Sequence, residues 1–288
     1  MNISAATKLY AIIGDPVEHS LSPSMHNVAF RRLNLDSVYL AFRVRPISLQ
    51  KAIAGMKSLG ILGFNVTVPH KVSVMKYLDQ IDNDAIKIGA VNTVVNKDGT
   101  LIGYNTDGAG ALIALQEEGV ELKGQKVVLL GAGGAAKALA SSIAPLAESL
   151  TILNRTESKA KELATSLAER VFSKVEGKRL TETTLSNVLV DTDVLINATS
   201  VGMYPKVSET LVKGEKLHSG MTVFDIVYNP LKTRLLMEAD SVGARTIGGV
   251  KMLVGQGVLA FELWTGETPP IEEMCRAVEI SLRRNVRR

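Results

Sequence analysis

Lys126–Ala138, KVVLLGAGGAAKA, is compatible with few architectures. Val127–Leu130 is a continuous apolar run, as in a parallel strand buried on both faces. Gly131, Ala132, Gly133, Gly134, Ala135 and Ala136 follow at once, and an alanine-rich stretch with good helix propensity then runs to Ile143. Glycines in G-x-G-x-x-A spacing between a strand and a helix form the phosphate-binding turn of a dinucleotide fold. Gly131 permits the tight turn, Gly133 lets the backbone approach a pyrophosphate, and Ala136 lets helix and strand pack closely. The exposed N–H groups and the helix dipole favour the anion. A purely structural strand–helix turn is the competing explanation.

The next strand, Leu150–Leu153, sharpens the reading. It ends in Asn154, Arg155 and Thr156, where an NAD site would place an acid for the ribose 2′-hydroxyl. A guanidinium there suits the 2′-phosphate of NADP. Asn154 could hold the ribose or the adenine edge, and Thr156 could bind phosphate or cap the helix Glu157–Ala168. Glu157 is near enough to be the missing acid, but it reads as a first-turn residue complementing the helix dipole.

Further βα units follow at Val194–Asn197, Thr222–Ile226 and Arg245–Ile247, with a helix at Lys232–Ser241. Their repetition implies a doubly wound parallel sheet. Phe172–Val188 has no clear periodicity; Ser173 to Thr184 could be strand, loop or short helix. Val250–Trp264 and Ile271–Arg284 read as helices that the sheet does not need and that return to the first domain.

The earlier part of the chain is an α/β unit of its own. Leu9–Ile13, Val38–Val44 and Phe64–Val68 read as strands, and Val91–Val95 with Leu101–Tyr104 as a hairpin around Asn96-Lys97-Asp98-Gly99. Ser22 before Pro23 reads as the cap of a helix running to about Leu33, buried through Met25, Ala29, Phe30 and Leu33. Leu49–Ser58 and His70–Leu78 read as helices, and Thr106 or Asp107 caps another that ends near Glu118. The expected fold class is thus α/β with two domains. Residues 1–106 form an N-terminal α/β substrate domain, 107–250 a Rossmann-type doubly wound NADP domain, and 251–288 the returning C-terminal helices.

At 288 residues, 46% hydrophobic and 22% charged, the chain can bury a sizeable core. There is no apolar run long enough to span a membrane and no secretory signal in MNISAATKLYAIIGD. One cysteine, Cys275, excludes an internal disulfide and a multi-cysteine metal site, which suggests the cytoplasm. A formal charge of +4 suits anionic ligands but is too mild and dispersed for nucleic acid. The basic tail 283–288 reads as a solvated helix end. The expected partner is a small-molecule substrate, with no nucleic acid, membrane or metal; a homodimer is an open alternative to a monomer.

Polar residues gather at strand ends and helix starts of the first part: Ser20 and Ser22; Asn65, Thr67, His70 and Lys71; and Asn92 with Asn105, Thr106 and Asp107. Strand alternation puts Asn65 and Thr67 on one face, as in a lined cleft. A lysine beside an aspartate can be an acid–base pair, because desolvation can lower a lysine pKa from about 10.4 towards neutrality. A solvated surface charge is the alternative for Lys71, and a helix cap for Ser22 and Asp107. His19 and His70 each adjoin a better-placed residue. Asn197–Met203 and Asp225–Pro230 follow strands, where ligands bind in open α/β sheets. Gln256 is polar within an otherwise apolar helix, so partial exposure is its other explanation.

Together SLSP (20–23), NVTVPHK (65–71), GAVNT (89–93), YNTDG (104–108), GAGGAA (131–136), NRT (154–156), NATSVGM (197–203), DIVYNPLKT (225–233) and KMLVGQG (251–257) resemble the shikimate dehydrogenases, in family order and over nearly the whole chain. The resemblance implies NADPH-dependent reduction of 3-dehydroshikimate to shikimate in a cleft between two domains. It implies that Ser20 and Ser22, helped by Tyr228, bind the substrate carboxylate. Lys71 and Asp107 would hold ring hydroxyls and handle the proton, with Lys71 as acid and base. Thr67, Asn92 and Gln256 would complete the hydroxyl contacts, with Asn65 in the wall. Gly131–Ala135 would bind pyrophosphate and Asn154–Thr156 the adenosine phosphate, while Met203, Ile226 and Gly249 flank the nicotinamide; Thr199 joins this cofactor set. An NAD-preferring quinate/shikimate dehydrogenase and a non-catalytic shikimate or NADP sensor are the alternatives. Arg155 argues against the first, and the presence of both Lys71 and Asp107 against the second.

Overall fold

The computed structural model describes residues 3–285. Met1, Asn2 and the last three residues of the basic tail, 286–288, lie outside them. Two compact units divide the chain. The first takes the chain up to Thr106 and again from Gln256 onward, and the second is Asp107–Gly255.

The first unit runs β1 (Lys8–Gly14), α1 (Ser22–Arg32), β2 (Ser37–Arg43), α2 (Leu49–Ser58), β3 (Gly63–Val66), β4 (Gln80–Ile81), α3 (Asn83–Ile88), β5 (Thr93–Lys97) and β6 (Thr100–Tyr104). Its sheet order is β2-β1-β3-β5-β6-β4. The first three strands are parallel, and β5 is antiparallel to both β3 and β6. The β5–β6 hairpin turns at Asp98 and Gly99, both at positive φ, which matches the twist of the flanking strands. One face of the sheet packs Ala11, Ile13, Phe64, Val66 and Leu101 against Leu49, Ile53 and Met56, the i, i+4, i+7 stripe of α2.

Three expectations change in this unit. The helix expected at His70–Leu78 is a short 3-10 turn at Ser73–Tyr77. The Lys71 carbonyl accepts the Val91 N–H at 2.8 Å, which takes it out of any helical ladder. The third strand ends at Val66 rather than Val68, although the Thr67 N–H still donates to the Ile13 carbonyl and the Val68 carbonyl accepts from the Asp15 N–H, both at 2.9 Å. Ser22 is not the cap of α1: Leu21 holds that position, with no side-chain cap, and Ser22 is the first helical residue.

The other face carries a layer of aromatic rings. His26 of α1 stacks on Tyr39 at 4.5 Å between ring centroids, and Phe261 and Trp264 lie beyond it. His26 is wholly buried, and among the described residues neither ring nitrogen has a hydrogen-bond partner. Burial lowers its pKa from the ordinary 6.5 to about 3. The unfolded chain therefore takes up this proton well before the folded one does, so stability falls as pH drops through that window. The slope is at most about 1.4 kcal/mol per pH unit. His26→Phe removes the uptake and keeps a ring of similar shape. Urea unfolding is expected to show the variant gaining on the parent as pH is lowered from about 7 to about 5. A pH-independent difference would contradict a neutral His26.

The second unit runs α4 (Asp107–Glu117), β7 (Lys126–Leu130), α5 (Gly134–Ile143), β8 (Ser149–Asn154), α6 (Glu157–Ala168), β9 (Lys174–Arg179), α7 (Glu182–Leu189), β10 (Val194–Asn197), β11 (Thr222–Asp225), α8 (Arg234–Ser241) and β12 (Arg245–Gly248). All its strands are parallel, in the order β12-β11-β10-β7-β8-β9. The chain leaves β7 outward through β8 and β9, then returns to β10 on the other side. That reversal makes a switch point beside β7, the place for a ligand in an open sheet. The aperiodic Phe172–Val188 supplies edge strand β9 and most of α7. Lys174 and Lys178 flank Glu176 along β9 with ion pairs of 2.8 and 2.7 Å, so charge replaces apolar alternation.

α9 (Gly249–Thr265) and α10 (Ile271–Asn285) complete the chain. The division between units, expected at 250/251, falls inside α9 between Gly255 and Gln256. Before it, Lys251 pairs with Glu117 and Glu118 of the second unit. Beyond it, Trp264 Nε1–H donates to the Val94 carbonyl at 3.0 Å, and Glu273 of α10 accepts from Arg32 of α1 at 2.9 Å, both within the first unit. Among the described residues, no helix is long and apolar enough to cross a membrane, and no His, Cys, Asp or Glu cluster could hold a metal.

Candidate active site

In the second unit the glycine turn follows β7 directly. Gly131 has φ +112°, a conformation L side chains rarely adopt, and a Cβ there would lie 2.9 Å from the Ala198 carbonyl oxygen. Its N–H donates to the Leu153 carbonyl at 2.8 Å, tying the turn to β8. Gly133 is the N-cap of α5 and, having no side chain, offers no cap to the first helical N–H groups. Open space adjoins Gly133, and Gly134 and Ala135 are half-buried. A bare helix start over open space can receive a pyrophosphate.

At the end of β8, Asn154 Nδ2 donates to the Thr156 carbonyl at 2.8 Å and shapes the turn around Arg155. Arg155 is exposed and, among the described residues, makes no ion pair or side-chain hydrogen bond. Thr156 is the N-cap of α6, but its hydroxyl makes no capping bond. Glu157 turns along the helix to Lys161 at 2.7 Å, which holds its carboxyl below the usual range. Its charge is thus engaged within the helix, and the free cation at the strand end suits a 2′-phosphate.

The loops after β10 and β11 are knotted through Asp225, which is fully buried. Its carboxylate accepts from Asn197 Nδ2 at 2.9 Å, the Val227 N–H at 3.0 Å and the Thr233 hydroxyl at 2.6 Å. Burial nevertheless pushes its pKa up to about 6. Asn197 Oδ1 accepts from the Thr199 N–H at 3.1 Å and hydroxyl at 2.7 Å, so Thr199 serves the turn itself. Gly249 opens α9 where a Cβ would come 2.2 Å from the Ile226 carbonyl oxygen; only glycine allows that approach. Met203 is exposed on the loop after β10, next to Tyr204, whose N–H donates to the Asn229 carbonyl at 3.0 Å. Tyr228 is half-buried, and burial raises its phenol pKa.

The first unit holds a continuous buried run of hydroxyl and amide side chains. The Ser20 hydroxyl accepts the Ser22 N–H at 3.3 Å. The Ser22 hydroxyl bonds the Tyr39 phenol, which donates to Asn65 Oδ1 at 2.6 Å. Asn65 Nδ2 donates to the Thr93 hydroxyl at 3.0 Å, and Thr93 donates to Asn92 Oδ1 at 2.9 Å. Asn92 Nδ2 reaches the Thr106 hydroxyl at 3.0 Å and Gln256 Oε1 at 3.4 Å. Gln256 is therefore a buried member of the network, and so is Thr106, the residue before α4. Tyr39 and Thr93 were not among the expected site residues. Both read as strand residues, and alternation alone does not show whom they meet across the sheet.

Thr67 and Lys71 are half-buried just beyond β3 in the same unit, whereas Asp107, buried at the start of α4, and Tyr228 belong to the second. His70 is buried with Nε2 2.6 Å from the Val44 carbonyl, a structural clamp. His19 is exposed.

A reversing parallel sheet, a bare glycine turn and an arginine at the second strand end define a dinucleotide-binding protein of the doubly wound class. Three family models match the chain: the shikimate dehydrogenase substrate binding domain at residues 12–94, shikimate/quinate 5-dehydrogenase at 113–230, and the shikimate 5′-dehydrogenase C-terminal domain at 249–279. The shikimate dehydrogenase (NADP+) of Methanocaldococcus jannaschii is 51% identical over 96% of this chain and 98% of its own. A shikimate dehydrogenase solved with NADP+ superposes with TM-score 0.91 at 49% identity, covering 98% of each chain. The Thermus thermophilus enzyme, solved with NADP(H) and shikimate, gives 0.86 at 36% identity over 96% of this chain and all of its own. This chain belongs to the shikimate dehydrogenase family.

Proposed function

We infer that this chain catalyses the reversible NADPH-dependent reduction of 3-dehydroshikimate to shikimate, a step towards chorismate and the aromatic amino acids. The observation that carries the reading is the buried run of uncharged hydrogen-bonding side chains from Ser22 to Gln256. A small polyhydroxylated carboxylate requires many neutral partners, and a site built to bond a hydroxyl can reject an analogue lacking it by about 10⁴–10⁵-fold. The family relatives support the substrate and the cofactor.

Ser20 and Ser22 are assigned to the carboxylate with Tyr228, and Thr67, Asn92 and Gln256 to the hydroxyls, with Asn65 in the wall. Gly131–Ala135 are assigned to pyrophosphate and Asn154–Thr156 to the adenosine phosphate. Met203, Ile226 and Gly249 are assigned to the nicotinamide, with Thr199 supporting its loop. NADPH supplies the hydride when bound. Lys71 gives a proton to the substrate oxygen as the carbonyl becomes a hydroxyl, and takes it back in oxidation. Asp107 is assigned to the ring hydroxyls and to the same proton. The single cysteine supports a cytoplasmic location. Incubation of the protein with 3-dehydroshikimate and NADPH is expected to give shikimate, identified by mass spectrometry as the substrate plus two hydrogens. Tight binding of both compounds without product would favour a sensor.

A further inference from the structure

Tyr39 is fully buried and links Ser22 to Asn65 in the network. Its position is held from three sides. Asn27 clamps its backbone, donating to the Tyr39 carbonyl at 2.8 Å and accepting its N–H at 2.9 Å. His26 stacks on its ring at 4.5 Å, and Trp264 lies 5.9 Å away. The phenol oxygen therefore has little freedom, and it meets two polar groups, the Ser22 hydroxyl and Asn65 Oδ1.

We propose that Tyr39 is a positioning residue for substrate binding, setting the Ser22 hydroxyl and the Asn65 amide in their working orientations. The inference rests on the substrate reading above. A serine hydroxyl rotates freely unless a partner selects its rotamer, and an asparagine amide can flip unless its two ends are distinguished. The Tyr39 phenol does both. It provides a fixed oxygen for Ser22, and by donating to Oδ1 it directs Asn65 Nδ2 towards Thr93. Burial drives the phenol pKa well above its ordinary value, so the donor proton stays in place. Removing the hydroxyl leaves two buried polar groups without their shared partner while the ring still fills its space.

Tyr39→Phe, Ser22→Ala and the double variant are compared by steady-state kinetics with shikimate, calorimetry with NADP+ and thermal unfolding. Assays run below the unfolding midpoint of the least stable protein. In Y39F, KM for shikimate is expected to rise about 10–100-fold, kcat to change less than about threefold, and NADP+ affinity less than about twofold. In the S22A background, adding Y39F is expected to cost several-fold less than it does alone, since the two act through one contact. An unchanged KM, independent multiplication of the two effects, or parallel loss of NADP+ affinity would overturn the proposal. So would failure of Y39F to fold, because the phenol would then be structural. Failure of the parent protein to turn over shikimate would instead overturn the substrate reading, and Tyr39's role with it.

Discussion

Lys71→Ala is expected to lower kcat by about 10²–10⁴, the usual contribution of a positioned acid or base. Lys71 leaves the backbone just beyond β3, and its carbonyl is locked to the Val91 N–H at 2.8 Å. The origin of the side chain is therefore fixed while the half-buried stem can reach a substrate. Without the ammonium, the oxygen that forms when the carbonyl is reduced loses its assigned proton donor. Affinity for NADP+, assigned to the other unit, is expected to change less than about twofold. Folding should survive, because the residue is half-buried and outside the described cores. Lys71→Arg keeps the charge but cannot exchange a proton near neutral pH, so it should be nearly as slow. An unchanged kcat in Lys71→Ala would remove this residue from the proton step.

Arg155→Ala is expected to weaken NADP+ binding about 10–100-fold and NAD+ binding less than about threefold. The estimate follows from hydrogen bonds between a guanidinium and a phosphate, worth about 1.5–3 kcal/mol. Arg155 has no competing partner among the described residues, and Glu157, the nearest candidate to neutralise it, is taken by Lys161 at 2.7 Å. Because Arg155 is exposed, the preference for NADP+ should shrink with added salt. Calorimetric titration of the two cofactors separates the outcomes. Equal losses for both would refute a contact with the 2′-phosphate.

Much of the nucleotide half is legible in the sequence because local chemistry decides it. The apolar run of β7, the glycines and the alanines of α5 specify their places without outside contacts, and α6 and β10 begin and end where their residues say. The rest depends on partners that no local pattern displays. The reading of His70–Leu78 as a helix fails because Val91 takes the Lys71 carbonyl from across the fold. β9 escapes notice because its alternation is one of charges. α3 is too short to show an apolar period, although Asp82 caps it through the Asp84 N–H and left-handed Gly89 ends it. Ser22 looks like a cap next to Pro23, and only the Tyr39 phenol shows where its hydroxyl goes. Gln256 could have faced solvent; Asn92, far away in the chain, accounts for its burial.

The most direct test of the account is the appearance of reduced-cofactor absorbance when purified protein is mixed with shikimate and either NADP+ or NAD+, with quinate in parallel. Rapid NADPH formation from shikimate, with both NAD+ and quinate poor, is the expected result. No turnover with any pair, despite tight binding of shikimate or NADP+, would contradict the assignment as an enzyme.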